Sequence, residues 1–217
     1  GVWDAPAQQE IPIAHFKTRI YTYSIVHKQT PGGGDAFDEF RTDAHDQPVD
    51  DSAHNAQRPF SVGFATTWLF FLPDNLEETR FRYVGEQKID NRETYVLAFA
   101  PTPEQEGLGV VIESSSGRCS TPMQGVAWID QSTFQIVRMQ TDLLTPLLGI
   151  QLNQFRSIVE YGAVKIRTLN LTFWVPTDVE TQWQTAYQAG EEFHTYSHYR
   201  LFQSTARILP ADKSPSP

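Results

Sequence analysis

Polar residues alternate with aromatic and β-branched residues in several separate stretches of the chain. The clearest is residues 80–100, where two runs of strand-forming residues flank Asp90 and Asn91. Such a pair suits a tight two-residue reversal, so the stretch predicts a β-hairpin. Residues 126–139 and 193–208 repeat this pattern. The sequence therefore predicts a mainly β fold with an antiparallel sheet.

The register of the first hairpin decides which side chains face the core, because a slip of one residue exchanges the two faces of a strand. A two-residue loop sets Lys88 opposite Glu93. The same register places Val84 opposite Leu97, whereas a three-residue loop shifts this pairing by one residue. We predict the two-residue loop, since it pairs opposite charges across the strands.

Three segments depart from the strand pattern. Residues 28–58 contain three consecutive glycines and many acidic residues, too polar to offset their ordering entropy, which predicts a mobile acidic loop. Residues 60–72 space their aromatic residues by three or four, which predicts a short helix with a strand as the alternative. Residues 143–152 are apolar but contain Pro146 and Gly149, so a loop or a broken helix is expected.

Length and composition indicate one globular domain. The chain has 217 residues, of which 40% are hydrophobic, and we expect a single domain over residues 1–210 followed by a disordered tail, 211–217. No window reaches the roughly 18 apolar residues of a membrane span. The net charge of -9 without a cluster of Lys and Arg argues against nucleic acids and anionic membranes as partners.

No familiar catalytic pattern occurs. The serine-hydrolase elbow and the glycine-rich nucleotide loops are missing from the sequence, and Cys119 lies in a polar segment without an adjacent base. His194 and His198, if both lie on one strand, are about 13 Å apart, too far to bind one metal ion. We therefore predict no catalytic residues, no metal site and no cofactor. Asp130 and Arg138 are interpreted as a structural ion pair across the second hairpin turn.

Large apolar side chains recur at every second position of the predicted strands. Two interpretations stay open: a solid core under a covering helix, or the wall of an open barrel around an apolar space. In the second case, segments 68–72 and 143–152 would cover its mouth. The candidate ligand-binding residues are Trp68, Phe71, Tyr95, Leu97, Phe99, Trp128, Leu144, Leu147 and Trp174.

Several short motifs follow one another in a definite order between residues 60 and 208. Residues 89–92 (IDNR) match a hydrophobic-D-G-R turn with Asn in place of Gly, a mild change because Asn tolerates the left-handed conformation. Residues 128–130 and 136–138 match a paired W-hydrophobic-D and hydrophobic-V-R motif, and residues 196–202 match a Y-x-x-Y-R-x-F ending. In these motifs the chain resembles the LolA/LppX-like superfamily, the outer-membrane lipoprotein-sorting proteins and their relatives.

This resemblance implies a LolA-like fold, in which a curved antiparallel sheet forms an open half-barrel with one or two short helices as a lid. It further implies a non-enzymatic bacterial envelope protein, periplasmic or otherwise exported, whose signal peptide is not present in this chain. The segment before residue 60 departs most from the family pattern, because the acidic stretch has no counterpart in it.

The expected ligand is a lipid acyl chain or another apolar small molecule in the half-barrel cavity, with an envelope protein as a second candidate partner. The alternative is an envelope sensor or protein-interaction domain with a solid core and no ligand cavity.

Overall fold

The computed structural model of the protein describes residues 18, 20–29, 35–49, 70–102, 109–114, 117–166 and 170–200. Strands dominate these ranges, and helical structure is limited to short 3₁₀ turns such as Pro73–Asn75 and Leu148–Ile150. The strands are β1 (Thr22–Gln29), β2 (Asp35–Thr42), β3 (Thr79–Ile89), β4 (Arg92–Pro101), β5 (Gly109–Ser114), β6 (Gly117–Asp130), β7 (Ile136–Leu143), β8 (Leu152–Ile166), β9 (Leu171–Thr185) and β10 (Ala189–Thr195).

The strands form one large sheet and one separate hairpin. In the large sheet the order is β10-β9-β8-β7-β6-β4-β3, and β5 pairs with the first part of β6. Strands β1 and β2 pair only with each other. All strand pairs are antiparallel, and because the end strands β3 and β10 do not pair, the sheet does not close into a barrel. The predicted fold class, mainly β with an open, curved antiparallel sheet, is confirmed.

The first hairpin has the predicted two-residue loop. Ile89 lies opposite Arg92, and Lys88 lies opposite Glu93 with 3.8 Å between the ammonium nitrogen and a carboxylate oxygen. Asp90 and Asn91 both have positive φ angles. That is the backbone conformation of the turn type whose twist matches the twist of paired strands.

The register prediction is wrong beyond the bulge of this hairpin. A β-bulge leaves Val84 unpaired and sets Tyr83, instead of Val84, opposite Leu97. Gly85, next to the bulge, has a φ angle of 148°, which residues with a side chain rarely adopt. Glycine inside a strand commonly marks such a bulge.

The acidic segment differs from the expected loop. Its residues Asp35–Thr42 form β2, which pairs along its whole length with β1. This pairing gives the backbone of a polar segment the hydrogen bonds that it would otherwise take from water. The mobility of segment 28–58 and the single domain stay predictions. Residues 60–69 of the helix expected over 60–72, and the tail 211–217, lie outside the described residues.

One side of the large sheet, the apolar face, carries the core. Its buried side chains form one core cluster, which includes Phe70 from outside the sheet. Tyr23 and Ile25 of β1 and Phe71 pack against this cluster. The opposite side, the polar face, carries most of the charged residues of β7 to β10. The buried members of the cluster include Phe99, Met123, Ala127, Met139, Leu152, Phe155, Val159, Tyr161, Val179 and Trp183.

Candidate functional site

Directly opposed residues of paired strands share a face, so the register divides the apolar face into rows that cross the strands. Two rows carry apolar side chains, which are large in the first row and mostly small or medium-sized in the second. They are Met123, Leu143, Phe155 and Trp183 in one row, and Ala127, Met139, Val159 and Val179 in the other. Between them runs the small-residue row, which consists of Gly125, Thr141, Ser157, Thr181 and Glu192.

The central side chains of the small-residue row have two or three heavy atoms, so this row lies lower than the neighbouring row of Met123, Leu143, Phe155 and Trp183. We call this step in the apolar face the recess. The three central members are nevertheless shielded from solvent: Thr141 is 2%, Ser157 7% and Thr181 3% exposed. Two threonines of the apolar face, Thr141 and Thr121 of β6, have hydroxyl oxygens without a hydrogen-bond partner among the described residues. The recess is therefore covered by other protein atoms and is not wholly apolar.

Two aromatic rings lie over glycines at the margins of this region. A Cβ atom added to Gly125 would come within 2.5 Å of the Phe99 ring, and one added to Gly190 within 2.4 Å of the Trp183 ring. Each glycine therefore gives an aromatic ring room to lie flat against the sheet. Phe99 covers the β6 end of the small-residue row, and Trp183 reaches across to the edge strand β10.

At the other end of the row, β10 places a partly exposed ionisable pair on the apolar face. Glu192 lies 3.4 Å from the Nε2 atom of His194, and the two side chains are 21% and 25% exposed. The His194 ring stacks on Tyr196, whose own ring contacts Tyr23 of β1. The small-residue row thus ends in a carboxylate at the sheet edge.

The predicted ligand-binding residues of β4 lie on the apolar face. Phe99 is buried, and Leu97 shares its side of the strand, as does Tyr95. Phe71 joins them by contacting Phe99, with 5.2 Å between the ring centres. The structure therefore brings these four residues to one side of the sheet.

The remaining predicted residues are more scattered. Leu147 packs against the core cluster from the loop before β8, whereas Leu144 in the same loop is exposed. Trp174 of β9 also packs against the cluster, and its indole N–H donates a hydrogen bond to the carbonyl of Ile136. Trp68 lies outside the described residues.

Trp128 is not with the others, because it lies on the polar face. Its position opposite Val96 places it on the side away from Phe99 and Ala127. The indole N–H donates to the side-chain oxygen of Gln87 at 2.8 Å, and the guanidinium of Arg138 lies 5.8 Å from the ring centre. These contacts hold the Trp128 side chain on the polar face of the sheet.

The predicted ion pair between Asp130 and Arg138 does not form. Arg138 instead pairs with Glu160 across β7 and β8, with 2.5 Å between the nitrogen and the oxygen. Asp130 pairs with Arg92 at 3.0 Å. In the register of β6 and β7, Arg138 lies opposite Trp128 and not opposite Asp130.

Asp130 also organises the turn between β6 and β7. Its carboxylate accepts hydrogen bonds from the hydroxyl of Ser132 and from the backbone N–H of Thr133. These bonds, together with the guanidinium of Arg92, hold the pKa of Asp130 well below its usual range. Its role is to fix the hairpin, because its bonding capacity is filled within the protein.

A pocket of about 390 Å³ opens beside these groups. Its charged lining residues include Arg92, Arg138, Glu160 and Asp178. Each arginine pairs with a carboxylate and also lies over a tryptophan ring. Arg138 is therefore neutralised by Glu160 of the lining and Arg92 by Asp130 beside it, while Asp90 and Asp178 add negative charge to the lining. In the described part of the chain, no three His, Cys, Asp or Glu side chains are grouped to hold a metal ion.

The small-residue row was not among the sequence-based predictions. Its members come from five different strands, and none of them is distinctive in its own segment. Only the register between strands aligns them, so the one available signal was the presence of a small residue near the middle of several predicted strands.

No protein-family model matches the chain, and no curated protein matches it. The chain is similar to a solved domain of Vibrio parahaemolyticus that is described as a putative outer membrane lipoprotein-sorting protein domain, with 13% identity and a TM-score of 0.35. The match covers 75% of this chain and 59% of that one. Among the described residues, no helix has the length and hydropathy needed to cross a membrane.

Proposed function

We propose that this protein is a non-enzymatic binding protein that holds an acyl chain or a similar apolar molecule against the apolar face of its sheet. The observation that carries the proposal is the recess along the small-residue row, beside the row of the large apolar side chains Met123, Leu143, Phe155 and Trp183. A linear chain of methylene groups fits a narrow recess across several strands. Burial of its surface would stabilise the complex by about 25 cal/mol per Å².

Two further features support this proposal. Half-buried apolar side chains on the same side of the sheet, among them Phe71, Leu97 and Leu147, can still bury more surface when a ligand binds. In contrast, the ionic groups described on the opposite face are largely paired with one another. The chemistry available on the apolar face is therefore hydrophobic contact, which suits binding and transport.

The resemblance of the sequence motifs supports an envelope location, periplasmic or otherwise exported. Fractionation of the source bacterium should find the protein in the osmotic-shock or membrane-associated fraction. Recovery in the cytosolic fraction alone would contradict this location.

The test of the binding proposal uses two single substitutions in β8 that point to opposite faces. Ser157→Phe fills the recess, while Ile158→Phe places the same ring on the polar face. Native mass spectrometry and a fluorescent fatty acid should detect lipid on the unchanged protein and on Ile158→Phe, and little or none on Ser157→Phe. Circular dichroism checks that each variant folds.

Unimpaired binding by a folded Ser157→Phe protein would contradict the proposed site. If that variant does not fold, Leu144→Asp provides a milder test, because Leu144 is already exposed beside the recess and its loss should weaken uptake only. A complete absence of lipid binding by the unchanged protein would favour the alternative, a sensor or interaction domain with a solid core.

A further inference from the structure

The pocket of about 390 Å³ lies where strands β7 and β8 separate. The pairing of these strands ends at Arg138 and Glu160, and both residues line the pocket. Next to them, Val137 of β7 and Thr177 of β9 are the extra residues of two β-bulges, and they also belong to the lining. Bulges bend a strand and re-aim its side chains. The end of one strand pairing and two adjacent bulges therefore create this pocket.

Two carboxylates of the pocket are accessible and have spare bonding capacity. Asp90 and Asp178 are both exposed, so a ligand can reach them from solvent. The side chain of Asp90 makes no hydrogen bond or ion pair with another described residue, and Asp178 accepts one hydrogen bond, from the hydroxyl of Thr195. A carboxylate can accept several hydrogen bonds. The pocket therefore offers acceptors that the fold does not fill.

The charge of the lining favours a cation. Arg138 pairs with Glu160, and Arg92 pairs with Asp130 beside the pocket, so neither arginine is available to an anion. The two exposed aspartates have no cationic partner among the described residues. The net charge of the chain is -9, and its field also attracts cations towards the surface.

The two aspartates belong to opposite ends of the pocket. Asp90 lies in the turn between β3 and β4, whereas Asp178 lies in β9, and strands β6, β7 and β8 lie between them in the sheet. The lining also includes the apolar side chains of Ile89 and Val137, which are largely buried. Negative charge at both ends and apolar surface along the wall match a linear ligand with cationic ends and methylene groups between them.

We propose that this pocket binds a linear aliphatic polyamine, whose terminal ammonium groups pair with Asp90 and Asp178. Its methylene groups lie against Ile89 and Val137. A metal ion is a poorer match, because no three His, Cys, Asp or Glu side chains are grouped to hold one in the described part of the chain. The site is separate from the recess of the apolar face, and it does not depend on the function proposed above.

The experiment compares spermidine with monoacetylated spermidine, which lacks one terminal charge. Isothermal titration calorimetry of the full chain at low salt should show tighter binding of spermidine by about twofold to fivefold, the effect of one partly exposed ion pair. Asp90→Asn and Asp178→Asn should each weaken spermidine binding by a similar factor. The matched control is Glu180→Gln, which removes the same charge from the next residue on this face of β9, outside the pocket, and should change the affinity little.

Equal weakening by all three substitutions would overturn the inference, because it would indicate a general attraction of the polyamine to an acidic chain. Equal affinity for spermidine and its monoacetylated form, or no measurable binding of either, would also overturn it. Both test variants should fold, since Asn tolerates the positive φ angle at position 90 and keeps an oxygen acceptor for Thr195 at position 178. Circular dichroism checks this, and each variant tests one end of the pocket independently of the other.

Discussion

The two faces of the large sheet are built from alternate residues of the same strands, yet they treat their polar groups differently. On the polar face, Arg138 pairs with Glu160, and Asp178 in the same cross-strand row accepts a hydrogen bond from Thr195. On the apolar face, the hydroxyl of Thr141 is buried without a described partner. The polar groups of this row therefore find partners within the protein, whereas the apolar face keeps a buried hydroxyl unpaired, which is destabilising.

The faces also differ in how much they stabilise the fold. The ion pairs of the polar face are partly exposed, and such pairs contribute about 0–1 kcal/mol each. A fully buried aliphatic side chain contributes about 1.5–3 kcal/mol. Stability should therefore depend mainly on the two apolar rows, even though the small-residue row between them adds little.

The largest expected effect comes from shortening a side chain of the apolar face. Met139 is completely buried, so Met139→Ala should lower the free energy of unfolding by about 2–5 kcal/mol. Ile158 on the polar face is half-buried, and Ile158→Ala should cost clearly less. Urea unfolding measures both values. Equal losses of unfolding free energy in the two variants would contradict the expected difference in burial between the two faces.

The sequence predicted local structure better than it predicted the alignment of distant strands. The turn at Asp90 and Asn91 was predictable because both residues tolerate the left-handed backbone that a two-residue loop needs. The bulge at Val84 was not, although Gly85 marks it, since a glycine in a strand can equally indicate a tight bend or a close approach of another backbone. One extra residue in one strand then changed the pairing for the rest of the hairpin.

The candidate site was predicted only in part, for the same reason. Tyr95, Leu97 and Phe99 share a face because they alternate within one strand, which the sequence shows directly. Trp128 belongs to the other face, and only its register with β4 shows this. The small-residue row depends on register across five strands, so no single segment of the sequence contains it.

A second prediction sharpens the comparison at the β6 end of the small-residue row. A side chain on Gly125 would meet the backbone oxygen of Gln140 at 2.3 Å as well as the Phe99 ring, so Gly125→Ala should cost about 1–3 kcal/mol of stability. Gly149 has no atom near its missing side chain, and Gly149→Ala should be neutral or slightly stabilising. Thermal melting of both variants distinguishes these outcomes. An undiminished melting temperature for Gly125→Ala would mean that Phe99 does not lie tightly over the row.

A smaller, pH-dependent effect is expected at the hairpin end of the polar face. The hydroxyl of Ser132, the backbone N–H of Thr133 and the guanidinium of Arg92 stabilise the charged form of Asp130 and lower its pKa in the folded protein. A lowered folded-state pKa gives stability that is fully present above the ordinary value of 3.8 and is lost as the pH falls from there towards the lowered pKa. Asp130→Asn should therefore lower the melting temperature at pH 7, and its difference from the unchanged protein should shrink below pH 3.8.

The control for this effect is Asp142→Asn, which removes a more exposed partner of Arg156 and should change stability little. Melting curves of the three proteins between neutral and acidic pH separate the two sites. If Asp130→Asn were as costly as Met139→Ala, a single carboxylate on the polar face would stabilise the fold as much as a fully buried side chain. The stability of the sheet would then not come mainly from its apolar face, because the hairpin turn would contribute as much as the core.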